Sequence, residues 1–420
     1  MNESLLQYIW KFRLYSYLHL KTLCGKEIIV RQSGTHNLHQ GPDFINARIE
    51  IDGTVWAGNV ELHILTSHWD VHKHSDDPNY RNVILHVVWK HDRNISVSFP
   101  TVEISPYVAK SMLHRFSLMM NNKQFIPCQT MLNEVDGLHI KKSLERFVME
   151  RLEGRADQLM VTLTQMNGDW HAVLWRLIFR VMGGKVNGFA FEQLLTTLPA
   201  GFLRKCKGES VLAEAVLMGQ SNLLTSTCKD NWPALLFSIY QYQQKKFSLK
   251  PSLMGMHYFR MRPSSFPSIR LSMLAHLIAR GNLHVQMILD AEDTSSIRQL
   301  MPIGVADYWR THYRFDMTAK KQVIFNVKRI QESLLINAVI PLLYAYGRQT
   351  NQAYLQEKAT NWLFDLKAEK HSITDAFESF GLKAEHAADS QGILQLYHEY
   401  CEKKRCLDCS LAHYLLKKSA

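Results

Sequence analysis

Near the start of the chain the apolar positions Leu5, Leu6, Ile9, Trp10 and Leu14 fall close to helical spacing, which predicts an amphipathic helix. The period then changes. The runs "KEIIVRQS", "FINARIEID", "TVWAGNVELHI" and "NVILHVVWKHD" are rich in β-branched and aromatic residues and read as strands. "ISVSFPTVEI" adds an extended segment broken by Pro100. The predicted order is α-β-β-β-(short α)-β, a mixed unit over residues 1–107. From 108 to 420 helical periodicity dominates, as in "VDGLHIKKSLERFVMERLEGRADQLM" and "QESLLINAVIPLLYAYG", with no convincing strand. Gly183-Gly184, Pro199–Gly201 and Pro251 punctuate these segments. The expected class is therefore α+β, an N-terminal α/β domain followed by a large all-α region.

Composition narrows this only slightly. At 46% hydrophobic and 21% charged residues over 420 positions, the chain has the make-up of a globular protein with a core of normal size, not a disordered one. No run of 18 apolar residues occurs, so no membrane span is expected. The first residues lack the apolar stretch and cleavage site of an export signal. Seven cysteines, an odd number without such a signal, read as reduced thiols in a cytoplasmic protein. A formal charge of +11 with 20 histidines points to an anionic partner, nucleic acid above all, and sets no oligomeric state. There is no P-loop, dinucleotide glycine fingerprint or Gly-x-Ser-x-Gly elbow.

Candidate chemistry concentrates in "GPDFINARIEIDGTVWAGNVELHI", residues 41–64. Asp43, Glu61 and His63 are two carboxylates and a third polar group at a strand edge. Such a set suits a divalent cation such as Mg²⁺, which takes oxygen ligands, activates water and neutralises charge on a phosphoryl group. The alternative is a structural network in which the groups satisfy one another. Glu61 and His63 share a strand face by the period of two. The face of Asp43 depends on the Asp52-Gly53 turn. An uninterrupted two-residue turn pairs Asp43 with Leu62, whereas a longer loop or a bulge, as at Gly58, brings all three together.

With Pro-Asp opening the second strand and Glu-x-His on the third, residues 1–95 resemble the restriction-endonuclease-like superfamily, the PD-(D/E)XK phosphodiesterases. The resemblance implies a restriction-endonuclease-like core and nuclease activity with Mg²⁺ or Mn²⁺. It places metal-ligand roles on Asp43 and Glu61 and the position of the signature lysine on His63. Histidine there departs from the pattern: it titrates near neutrality and can serve as base or ligand. Glu3 or Glu50 is a candidate further acid. The helical region would then supply the nucleic-acid surface, and a binding protein that keeps this fold without turnover is the alternative. The whole chain also resembles an uncharacterised bacterial family, catalogued as a domain of unknown function, through "GPDF", "GNVELH", "NVILHVVW", "RPSSFPSIRL" and "RCLDC".

Three further groups carry possible chemistry. His63, His68, His72, His74, His86 and His91 crowd one stretch, with His68 and His72 at the i, i+4 spacing of zinc sites and Asp70, Asp76 and Asp77 nearby. His72, His74 and His86 are the expected companions of His63, and a zinc-dependent hydrolase is the rival reading. Cys401, Cys406 and Cys409 form C-x4-C-x2-C with His413 beyond. With Cys128 as fourth ligand they suit zinc or an iron–sulfur cluster. The set resembles the iron–sulfur staple of some helicase-associated nucleases, although there the cysteines flank the nuclease core and here all four follow the hairpin. Small buried residues are the alternative. Arg260, Arg262 and Arg270, among prolines and aromatics, are candidate nucleic-acid contacts, or else belong to a proline-defined turn between helices.

Overall fold

The computed structural model describes residues 1–199 and 201–419. They fall into two compact units: Met1–Leu144 with Asp375–Lys383 and the segment from Leu394 on, and Glu145–Thr374 with Ala384–Ile393. The division thus falls at 144 rather than 107, and late segments of the chain belong to the first unit. Periodicity alone could not show this, because a helix reads the same whichever core it joins.

In the first unit, helix α1 (Glu3–Phe12) is capped by Asn2, whose side chain accepts from the Leu5 N–H at 2.9 Å. It buries Leu5, Leu6, Ile9 and Trp10, as its spacing predicts. Six strands form one mixed sheet: β1 (Ile28–Gln32), β2 (Thr35–His36), β3 (Phe44–Ile51), β4 (Thr54–Leu65), β5 (Val83–Lys90) and β6 (Thr101–Glu103). Their order is β1-β3-β4-β5-β6, with β2 also paired to β3. The pairs β1–β3 and β3–β4 are antiparallel, and β4–β5 and β5–β6 are parallel. A parallel neighbour requires a crossover. Residues 66–82 provide it through the short helix α2 (His68–Val71) and two single 3₁₀ turns, His74–Asp76 and Pro78–Tyr80. The run Val83–Val88 is buried throughout, which is why its sequence is nearly continuous in apolar residues.

The β3–β4 hairpin closes as a two-residue turn, with Ile51 opposite Thr54 and positive φ at Asp52 (52°) and Gly53 (78°). Gly58 is needed on β4 because a Cβ there would lie 2.4 Å from Ile84 Cγ2 and 2.7 Å from the Asn82 carbonyl. Helices α3 (Lys110–Asn121) and α4 (Gly137–Gln165) follow β6. The helix Ser410–Lys417 returns to α1 through a 2.8 Å bond between the Tyr8 hydroxyl and His413 Nδ1.

Only Thr101–Glu103 of the expected extended segment is a strand; "ISVSF" lies outside it. The second unit is almost wholly helical, around a core that includes Phe179, Leu274, Trp309 and Leu343. It also holds one small hairpin, His312–Arg314 with Met317–Thr318, where no strand was expected. Strands of two or three residues around a turn at Asp316 (φ 58°) are too short to leave an alternation. Among the described residues no helix is long and apolar enough to cross a membrane.

Candidate metal centre

The position of Asp43 is set by a bulge. Counting from the turn, Ala47 pairs with Gly58, yet Phe44 pairs with Val60, so β3 carries one extra residue between them. Asn46, at φ 59°, takes the left-handed conformation there, and its N–H donates to Asn59 Oδ1 at 3.3 Å. A one-residue slip exchanges faces. Without it Asp43 would stand opposite Leu62; with it Asp43 stands opposite Glu61. The Asp43 N–H donates to Glu61 Oε2 (3.0 Å), and the Asp43 carboxylate accepts from the Leu62 N–H (2.9 Å) and the Gln7 side-chain amide of α1 (2.7 Å).

Glu61 and His63 lie on one face of β4, where β5 brings His86 opposite Glu61. The crossover closes over that face and delivers His72 and His74. His63 Nε2 is 3.2 Å from His72 Nδ1, and Glu61 Oε1 is 3.4 Å from both His63 Nε2 and His74 Nε2. Among the described residues, His63, His72 and His74 are the one group of three or more His, Cys, Asp or Glu whose donor atoms all lie within 4.8 Å of one another. Donors at about 2.1 Å from a tetrahedral ion stand about 3.4 Å apart, which the His63–His72, Glu61–His63 and Glu61–His74 separations match. Glu61, His63 and His74 are buried and His72 is exposed, which leaves the cluster open to solvent on one side. His74 Nε2 is buried and has no hydrogen-bond partner. His74 is held by stacking on Tyr80 at 3.8 Å between centroids.

His86 stands behind this group. Its Nε2 is 3.0 Å from His63 Nδ1, the nitrogen that faces away from His72. A second imidazole there fixes the ring and tautomer of His63, the usual role of a partner to a metal-binding histidine. Burial, then the neighbouring imidazoles, pushes His63 down to about 2, and burial pushes His86 down to about 3, so both are neutral and available as donors. Asp43 moves the other way, up to about 7, through burial first and the adjacent Glu61 carboxylate second.

Glu3 Oε1 is 3.9 Å from His68 Nδ1, near the cluster, whereas Glu50 is paired with Arg31 at 2.7 Å. His91 accepts or donates to Thr66 at 2.9 Å, away from the trio. Gln7 and Tyr80 had no signal in the sequence, since each acts through a fold contact. Cys128, Cys401, Cys406 and Cys409 are all buried in the first unit. Burial pushes the Cys406 thiol up to about 12 and raises the thiols of Cys128 and Cys401 well above the ordinary range as well. Arg260 and Arg262 are exposed on the loop before the helix Pro267–Arg280, with Arg260 over the Phe259 ring. Arg270 is half-buried within that helix. The second unit also holds a recess of ≈ 490 Å³ lined by Arg155, Arg176, Arg180 and Lys185. Glu192 pairs with Arg176 at 2.5 Å and Arg180 at 3.0 Å there.

A family described as "Protein of unknown function (DUF2851)" matches residues 3–372, and the chain belongs to that family. No curated protein and no solved structure matches the chain.

Proposed function

We propose that this member of the DUF2851 family is a metal-dependent hydrolase that cleaves phosphodiester bonds in nucleic acid. The observation that carries the reading is the convergence of His63, His72 and His74 within 4.8 Å of one another, with Glu61 Oε1 at 3.4 Å from His63 and from His74. Three imidazoles and one carboxylate suit Zn²⁺ or Mn²⁺ better than Mg²⁺, which prefers an all-oxygen shell. A cation bound there supplies Lewis acidity and charge for a phosphoryl oxygen. Glu61 would link the two halves of the site, one oxygen toward the imidazoles and the other held by the Asp43 N–H. His86 would hold the ring of His63 in place, and Asp43 would provide the second carboxylate. The phosphodiester substrate is favoured by the resemblance to the PD-(D/E)XK proteins. An antiparallel β1–β3–β4 meander, a crossover and a parallel β5, with Pro-Asp and Glu-x-His at the junction, is the arrangement that resemblance implies. A net charge of +11 favours the same polyanion.

The test is cleavage of plasmid DNA, single-stranded DNA and RNA by the metal-stripped chain supplied in turn with Zn²⁺, Mn²⁺ and Mg²⁺. Cleavage that needs Mn²⁺ or Zn²⁺ and falls at least a hundredfold in Glu61→Gln is the expected result. Cleavage unchanged by that substitution would sink the site. Metal binding with hydrolysis of small esters alone would instead favour a hydrolase of small substrates.

A further inference from the structure

Four of the seven cysteines meet in one place. Cys128, which follows α3, and Cys401, Cys406 and Cys409 together line one tight recess, with only ≈ 10 Å³ of free space, within the first unit. Its remaining walls are mainly apolar, among them Ile126, Leu132, Phe377 and Leu396. Cys128 is the one of these four cysteines from the N-terminal part of the chain; residues 129–400 separate it from the other three.

We propose that Cys128, Cys401, Cys406 and Cys409 bind an iron–sulfur cluster. Three arguments support this, and none depends on the hydrolase reading. First, the run Cys401-x4-Cys406-x2-Cys409 has a ligand spacing used by iron–sulfur proteins, and folding supplies the remote fourth thiolate. Second, cysteines that merely filled core volume would be scattered among carbon neighbours, whereas all four of these line one recess within one unit. Third, the sulfurs are spread out. One zinc ion at about 2.3 Å from each of four sulfurs would draw them to about 3.8 Å from one another. Among the described residues the cysteines form no group of three with all sulfurs within 4.8 Å. Bridging sulfides separate the irons of a cluster, and each thiolate sits on the outside, so a wider frame is what the cofactor requires. Apolar walls limit solvent access to such a centre.

Assembly is a ligand exchange. Each cysteine loses its S–H proton to solvent as its sulfur bonds to iron; inorganic sulfide and iron come from outside, the iron all ferric for a two-iron cluster and half ferric, half ferrous for a four-iron cluster, so that no further oxidant is needed. The result would be a clasp between the segment after α3 and the C-terminal segment of the same unit, adding the binding energy of the cluster to folding.

The experiment is anaerobic purification of the full chain, followed by reconstitution with sulfide and either ferric iron or an equal mixture of ferric and ferrous iron. Iron, zinc and acid-labile sulfide are then counted, and the visible absorption spectrum is recorded. Two or four irons with an equal number of sulfides and a broad band near the blue end of the visible range are expected, the count giving the cluster type. Cys128→Ser and Cys406→Ser should each lose most of the iron and sulfide. Cys24→Ser and Cys228→Ser should keep them. One zinc per chain lost in Cys128→Ser, or no iron after reconstitution, would overturn the proposal. So would full iron retention in both Cys128→Ser and Cys406→Ser. Because the counts on the parent chain are informative alone, a variant that fails to fold leaves the test intact. A chain that holds the cluster but cleaves no nucleic acid would refute the hydrolase reading only.

Discussion

Replacing Glu61 by glutamine separates a metal centre from a purely structural network, because the two give opposite signs. Glutamine keeps the shape and can still accept the Asp43 N–H bond, now 3.0 Å long at Glu61 Oε2. What it loses is the charge that faces His63 and His74 at 3.4 Å. If Glu61 is a ligand, its loss should cost more than the ten- to hundredfold typical of outer-shell partners, about 3 kcal/mol or somewhat over a hundredfold in Kd. Without metal the effect reverses. Raising Asp43 from 3.8 to about 7 corresponds to about 4 kcal/mol against its ionisation. Burial is the larger cause, so relief from the Glu61 charge is the smaller part, about 1–2 kcal/mol. Metal-stripped Glu61→Gln should therefore resist urea better than the stripped parent at pH 8 by about that amount, while binding Zn²⁺ or Mn²⁺ far more weakly by calorimetry. Affinity within threefold of the parent, together with lower metal-free stability, would refute the metal assignment and leave Glu61 a structural acceptor.

Three other outcomes follow from the same geometry. In the metal-stripped chain, His63 and His86 are held near 2 and 3 against an ordinary 6.5, so the unfolded state binds more protons between those values and 6.5. Their contribution is fully present above pH 6.5 and is lost as pH falls. Each His adds about 1.4 kcal/mol per pH unit and Asp43 opposes with a similar slope from 3.8 to 7. Net stability should therefore rise by about 1.4 kcal/mol per unit from pH 4 to 6.5, and a flat or falling urea midpoint would contradict it. Asn46→Val should cost about 1–3 kcal/mol by straining the positive φ and should weaken metal binding by disturbing the bulge, whereas Asn46→Gly should spare both, as read by urea unfolding and calorimetry. Gly58→Ala should destabilise the first unit by about 2 kcal/mol, since the new methyl group meets the Asn82 backbone; an unchanged melting curve would contradict the close approach of β4 to β5.

Much of this molecule is legible from residue order alone. Spacing along Leu5–Trp10 specifies a helix, alternation along β3 and β4 specifies a hairpin, and Asp-Gly specifies its turn. The periodicity of two puts Glu61 and His63 on one face without any fold. Chain order also lists the candidate ligand types, imidazoles between 63 and 86 and thiols at 401–409. What the sequence could not decide was which of these meet. The side of β3 taken by Asp43 depends on an extra residue at Asn46, and a bulge leaves no mark on composition because its cost is offset by pairing with β4. His74 reaches Glu61 and His86 is set behind His63 only because the crossover folds back over the sheet to make β4 and β5 parallel. Cys128 joins Cys401, Cys406 and Cys409 only because the chain, after building a second unit, returns to the first. Local propensity acts over a few residues, whereas these contacts are fixed by burial and strand register between segments far apart, and that is the part only the tertiary structure decided.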